Sequence, residues 1–288
     1  MGEVADIVVS GLATIATLVV VSAGLAVVFG LMRVVNMAHG EFLMLGALVT
    51  TTLVLHLHVP LWLAMACATL VGAAVGAILE VVLISRIYRH RVVDSLLITF
   101  GLSLVMYQVA VDVFGTTPPG VGTPLGAITV GKYSFPAYTL VLVAAALLML
   151  AGLYLLFTRT RYGLLARAAA QNPEMAQALG VAAKRINLIT FAIGCALASL
   201  GGAIMAPMVS VSPSMGQEFI GQAFMAVVIA GPAFIFGTLL SALMLGGVSA
   251  ALAQSATALW GVTGLFLTAI VVLRLKPTGI SGKWRRGL

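Results

Sequence analysis

Apolar residues run along this chain in stretches of about 20 or more, the length an α-helix needs to cross a bilayer, with polar residues gathered into short islands between them. The pattern predicts helices over 7–32, 61–85, 95–115, 137–157 and 188–209. From 220 to 273 the chain is apolar almost throughout, interrupted by Pro232, by Gly246 and Gly247, and by the polar stretch 254–257. Basic residues follow that run, so the number of crossings inside it must be odd. Either three short spans or one full span with a re-entrant hairpin satisfies the requirement. The island 33–41, RVVNMAHGE, precedes an apolar continuation that is short for a full crossing. Residues 34–48 therefore read as a discontinuous helix entering at membrane depth or as the tight turn between two spans.

The longest polar island, 158–187, has the signals of a folded segment. Asn172 can cap a helix with Pro173 at its first position and Glu174 in its first turn, where free N–H groups and the helix dipole favour an acid. Gly180 can end it in the left-handed conformation that helix stops use. Residues 162–171, rich in Ala, Leu and Arg, form a second short helix. Met175 and Leu179 fall four apart, with Ala176 and Ala178 beside them, giving a small apolar stripe fit for docking.

Composition agrees on the class: 61% of the 288 residues are hydrophobic and 8% charged, against roughly 25% charged in a soluble domain. The predicted fold is an all-α integral membrane protein, a polytopic bundle of about eight or nine transmembrane helices with a discontinuous or re-entrant segment. A net charge of +7 does not point to nucleic acid, because thirteen of the fifteen Lys and Arg lie in three clusters beside apolar runs. That is the positive-inside signature, and it places the loop of Arg86, Arg89 and Arg91, the island 158–187 and the tail 274–288 in the cytoplasm. Residues 116–136, rich in Gly and Pro, then form an extracytoplasmic loop. Glu3 and Asp6 precede the first apolar run, which is too long for a signal-peptide core, so that span is expected to be retained. Cys67 and Cys195 lie within apolar runs and read as buried small hydrophobes.

Polar residues inside the spans are the candidates for chemistry. Asn36, His39 and Glu41 sit where an unpaired polar atom costs several kcal/mol. They must face protein, water or substrate, and Gly40 and Gly46 permit a break or a close backbone approach. A transport site at a broken helix accounts for them. So does a simpler arrangement in which Asn36 and His39 cap helix ends and Glu41 pairs with Arg33. Glu80 can pair with Arg86 or serve a gate, and Asp112 can meet a ligand ammonium or be a solvated helix terminus. His39 and Glu41 lack the further ligands a metal site needs. Gly126 to Lys132, GAITVGK, begins like a P-loop, but Tyr133 stands where the magnesium-binding Ser or Thr belongs, and no strand and helix flank it. Gly72 and Gly76, and Gly194, Gly201 and Gly202, allow helices to approach closely, and Pro207 loosens the end of its span. The triplet Ile-Thr-Phe at Ile98 and Ile189 is too short to establish a repeat.

Three stretches carry a resemblance. RAAAQNPEMAQALGV, beginning at Arg167, looks like the cytoplasmic coupling segment, the EAA loop, of bacterial ABC importer permeases. GLMRVVNMAHGEFLMLGAL, from Gly30, and KPTGISGK, from Lys276, are similar to the N-terminal and C-terminal signatures of the branched-chain amino acid permease family. The resemblance covers essentially the whole chain. It implies one permease domain over 1–288, multi-pass in the cell inner membrane, with a coupling loop at 158–187 and a basic tail at 274–288. Transport would be of branched-chain or related small amino acids, with urea, short amides or aromatic acids as alternatives. The partners implied are a second homologous permease, two ATP-binding subunits and an extracytoplasmic solute-binding protein. No cofactor or metal is implied, and the chain has no ATP site of its own. Arg167, Pro173, Glu174, Ala178 and Gly180 would then serve coupling, and Asn36, His39, Gly40 and Glu41 the translocation pathway. IAGPAFIFG, from Ile229, departs from the family's glycine-rich run, and Tyr88 and Arg89 are kept while His90 stands where proline is common. A self-sufficient secondary transporter would have to use Glu41, Glu80 and Asp112 for ion coupling and would leave the docking loop unexplained. An intramembrane enzyme lacks a nucleophile, base or ligand set in the spans.

Overall fold

The computed structural model describes residues 2–86, 92–130 and 133–282. Tyr88, Arg89, His90 and Arg91 in the first basic loop, Lys132, and Lys283, Arg285 and Arg286 in the tail lie outside the described residues.

Helices follow the apolar runs because a backbone in lipid must bond to itself. They are α1 (Gly2–Met32), α2 (His39–His56), α3 (Leu61–Val82) with a short 3-10 turn (Ile84–Arg86), α4 (Val92–Phe114), α5 (Tyr138–Arg159), α6 (Arg161–Gln171), α7 (Pro173–Ala178), α8 (Ala183–Met205), α9 (Met215–Ala230), α10 (Phe234–Ser255) and α11 (Ala258–Leu275). Among the described residues seven helices are long and apolar enough to cross a membrane: α1, α3, α4, α5, α8, α10 and α11. The protein is a polytopic helical membrane protein. α2, with its polar start, and the 16-residue α9 supply the remaining two helices of the expected eight or nine.

Two details differ from the sequence expectation. Within the predicted loop 116–136, β1 (Ala127–Val130) and β2 (Tyr133–Pro136) form an antiparallel hairpin, pairing Ala127 with Pro136 and Val130 with Tyr133. Ile128, Thr129, Tyr133 and Phe135 are β-formers, and they prevailed over the surrounding Gly and Pro. β1 leads into this partner strand and not into the helix a phosphate loop requires. In the run 220–273 the chain breaks at 231–233 and again at 256–257, giving three helices, while Gly246 and Gly247 lie inside an unbroken α10. Gly246 serves packing instead, since a Cβ there would strike the Ile15 backbone on α1.

The bundle is built on α8. Its residues Gly194 and Ala198 meet Gly24 of α1, Gly202 meets Leu43 of α2, and Ser199 and Cys195 meet Gly72 and Gly76 of α3. Helices in lipid gain little from hydrophobicity against each other, so close packing of small residues holds them. Along these contacts the numbering of α1 and α3 rises as that of α8 falls, so both run antiparallel to α8.

A repeated plan emerges that the Ile-Thr-Phe triplets do not mark. α1 is followed by the non-helical stretch 33–38 and the shorter α2; α8 is followed by 206–214 and the shorter α9. α3 packs on α8 as α10 packs on α1. Because α1 and α8 run in opposite directions, the two halves are inverted relative to one another, the arrangement many transporters use.

Candidate functional site

The stretch 33–38 is irregular backbone inside the bundle. Val34, Val35, Asn36 and Ala38 are buried, while Arg33 is exposed with a φ of 54°. His39 Nε2 lies 3.2 Å from the Val21 carbonyl. A carbonyl only accepts, so the ring carries its proton on Nε2. Val21 is eleven residues before Met32, about 16 Å along α1. Six extended residues reach about 20 Å, enough to carry the chain back to that level. α2 therefore starts partway along α1, deep in the bundle, as a discontinuous helix.

Asn36 forms the turn that starts it: its Oδ1 accepts from the Ala38 N–H at 3.1 Å. α4 holds the stretch from the side. Thr99 Oγ1 accepts from the Met37 N–H at 3.1 Å, and Ser103, one turn further on, donates to Glu41 Oε1 at 2.8 Å. Ser103, not Arg33, is thus the partner of Glu41. Gly40 lies against Gly216, the second residue of α9, and Glu41 Oε2 reaches the same glycine. Asn36 Nδ2, His39 Nδ1 and Glu41 Oε2 are fully buried without a hydrogen-bond partner. Asn36, His39, Gly40 and Glu41 are therefore gathered at one place, where the starts of α2 and α9 meet. Thr99 and Ser103 belong to this group and were not singled out from sequence; two hydroxyls four apart on one face of an apolar helix were the available signal.

Glu80 is buried on α3. Asp112 is an exposed helix-end residue whose Oδ1 accepts from Gln108 Nε2 at 2.8 Å. Among the described residues no three His, Cys, Asp or Glu side chains gather as a metal site.

The second candidate, 158–187, lies at the end of the bundle that carries Arg86, called here the basic end. Thr160 caps α6 by accepting from the Gly163 N–H at 3.1 Å, and Asn172 caps α7 by accepting from the Met175 N–H at 2.9 Å. Gly180 closes α7 with φ 86°. Pro173, Glu174, Ala178 and Gly180 are exposed and Arg167 is half-buried. Met175 and Leu179 stand out at 57% and 78% exposure, whereas Ala176 turns inward and anchors α7 on the bundle. Tyr162 ties α6 to α8 through a 2.7 Å bond to Thr190 Oγ1, and burial raises its phenol above the usual range. Pro173, Glu174, Ala178 and Gly180 are thus exposed on and just after one capped helix, with Arg167 on the preceding one, apart from the buried group at Glu41.

Comparison with known proteins concerns the chain as a whole. A family model described as the permease component of branched-chain amino acid transport systems matches residues 7–275. The chain is 26% identical, over 93% of its length and 90% of the relative's, to a probable branched-chain amino acid transport permease protein LivH of Methanocaldococcus jannaschii. It is 29% identical to the high-affinity branched-chain amino acid transport system permease protein BraD of Pseudomonas aeruginosa, covering 96% of this chain and 94% of that protein. Similarity extends to the ribose import permease protein RbsC of Escherichia coli, 28% identical over 74% of this chain and 67% of the relative. No solved structure matches the chain.

Proposed function

Because the chain belongs to the family of branched-chain amino acid transport permeases, we propose that it is the membrane-spanning subunit of an ATP-driven importer for branched-chain or related small amino acids. It is a multi-pass membrane protein and a transport subunit, not an enzyme. The observation that carries the coupling reading is the capped α6–α7 segment, which holds Leu179 and Met175 out from the basic end. Two large apolar side chains four apart, exposed on a capped polar segment, are a surface that a partner would cover.

In this reading the island 158–187 and the tail face the cytoplasm, and separate ATP-binding subunits take Arg167, Pro173, Glu174, Ala178 and Gly180. A second, homologous permease completes the pore, and an extracytoplasmic solute-binding protein delivers the solute. ATP binding favours one arrangement of the subunits and hydrolysis the other, which supplies the differential affinity a conformational switch requires. Asn36, His39, Gly40 and Glu41 form the pathway element: their unpaired buried atoms acquire partners when the starts of α2 and α9 separate. The ribose permease among the relatives supports a scaffold that serves more than one solute, with selection left to the binding protein.

The test is purification in mild detergent from the native membrane with every co-purifying subunit identified by mass, followed by uptake of labelled leucine into proteoliposomes with and without ATP. Co-purification of an ATP-binding subunit and ATP-dependent uptake support the assignment. Uptake by this chain alone without ATP overturns it.

A further inference from the structure

Residues 276–282, after α11, fold back onto the bundle and finish another helix. The stretch turns tightly, with the Gly279 N–H bonded to the Lys276 carbonyl at 2.9 Å and Gly279 at φ 79°. It then lies along the end of α9: the Ile280 N–H donates to the Ile229 carbonyl at 2.8 Å and the Ser281 N–H to the Ala230 carbonyl at 3.3 Å. These are carbonyls that a helix end leaves without partners. Ser281, 7% exposed, spans the α9–α10 turn with its side chain. Its hydroxyl donates to the Ala230 carbonyl and accepts from the Ala233 N–H, the latter at 3.0 Å. Gly231 and Gly279 face each other so closely that a Cβ on either would overlap the other strand of this contact.

The turn so held is also linked to the coupling segment, through a side chain at the end of α5. Phe234, the first residue of α10, sits over Gly30 of α1 and meets Phe157 edge-to-face with ring centroids 5.3 Å apart. Phe157 in turn meets Tyr162 of α6 at 6.0 Å. At its far end α9 begins with Gly216 on Gly40 and Glu41. Sixteen residues of helix make a rod of about 24 Å between the two ends.

We infer that Ser281 is a positioning residue for transport: by joining Ala230 to Ala233 it makes α9 move as one body with the basic end, so that a displacement of α6–α7 reaches Gly40 and Glu41. This rests on the importer reading above. Without the hydroxyl the turn flexes, the α6–α7 segment still engages its partner, and the motion is lost before it reaches the α2–α9 contact. A helix is stiff enough to transmit a shift and a loosened turn is not.

The experiment uses the whole complex in proteoliposomes, comparing wild type, Ser281→Ala, Ser281→Thr and Ala233→Pro. Ala233 has φ −85°, close to proline's range, so Ala233→Pro removes the donor from the opposite side. Three quantities are read for each: complex assembled, basal ATP hydrolysis, and labelled leucine taken up per ATP hydrolysed. Ser281→Ala and Ala233→Pro are expected to assemble and hydrolyse ATP as wild type while uptake per ATP falls about fivefold in Ala233→Pro, the factor one hydrogen bond contributes, and at least as far in Ser281→Ala, which removes two. Ser281→Thr restores it, and the double of Ser281→Ala with Ala233→Pro loses no more than Ser281→Ala alone. Unchanged uptake per ATP in both single variants overturns the inference. So does a fall in uptake matched by equal falls in assembly and basal hydrolysis, which is a purely structural role. A wild-type complex that takes up no leucine with ATP overturns the importer reading, and this inference with it.

Discussion

Gly40 and Gly216 pack backbone to backbone at the starts of α2 and α9: a Cβ on Gly40 would overlap the Gly216 carbonyl, and one on Gly216 would stand 2.6 Å from the Gly40 carbonyl. Two helices that begin inside the bundle thus meet at their first turns, with Glu41 beside the contact. Neither backbone can yield without moving a whole helix.

Gly40→Ala and Gly216→Ala should each separate the two helix starts and destabilise their packing by about 1–3 kcal/mol, the usual cost of overfilling a packed interior. Uptake measured against the amount of chain in the membrane checks this. Wild-type uptake in both variants would show that the contact is dispensable.

Ser103→Ala should leave Glu41 without its donor in a buried place, a loss of about 1–3 kcal/mol. Ser103→Thr keeps the hydroxyl and should recover most of it. Thermal inactivation of the solubilised complex reads the difference; equal midpoints for the alanine and threonine variants would argue against the bond.

Gly180→Pro conflicts with φ 86° and removes the N–H that bonds the Gln177 carbonyl at 2.9 Å, while Glu174→Lys puts a cation in the first turn of α7. Both should abolish solute-stimulated ATP hydrolysis and leave membrane insertion intact. Normal stimulation in the two variants would remove the coupling assignment from α7.

Asn172→Ala should cost the cap about 1 kcal/mol and loosen α7, and Asn172→Asp, which keeps the acceptor, should be close to neutral. Protease sensitivity of 158–187 in inside-out vesicles distinguishes them. Identical cleavage of the two would mean that the cap does not hold the segment.

Tyr162→Phe and Thr190→Val each break the link between α6 and α8, at about 1 kcal/mol apiece. Thr190→Val also removes the bond from the Thr190 hydroxyl to the Ile186 carbonyl, so the double variant should lose no more than Thr190→Val alone. Additive losses in thermal stability would show that the two side chains act separately.

Much of this was legible because it is local. Span lengths, the cap at Asn172, the stop at Gly180 and the break after Met32 each depend on a few consecutive residues and on rules about what lipid tolerates. The reach of the β-hairpin and the continuity of α10 through Gly246 and Gly247 were not legible, since turn-forming residues and helix-breaking residues act only when nothing else bonds or packs there. Ala176 shows the same limit on a small scale: beside Met175 in sequence it reads as part of an apolar stripe, yet it is the residue that points inward.

By itself the sequence determined that the chain is a membrane bundle, where five of its long helices run, which island is folded, and, through its signatures, the family. Only the tertiary structure decided that α8 is the central helix, that α2 and α9 meet at Gly40 and Gly216, and that Thr99, Ser103 and Ser281 hold the pieces whose positions matter. The reason is physical. In a membrane both faces of a helix are apolar, so the periodicity that tells core from surface in water is erased. Which helix meets which is then settled by shape and by a few hydrogen bonds between residues far apart in the chain, and neither is written in any one stretch of it.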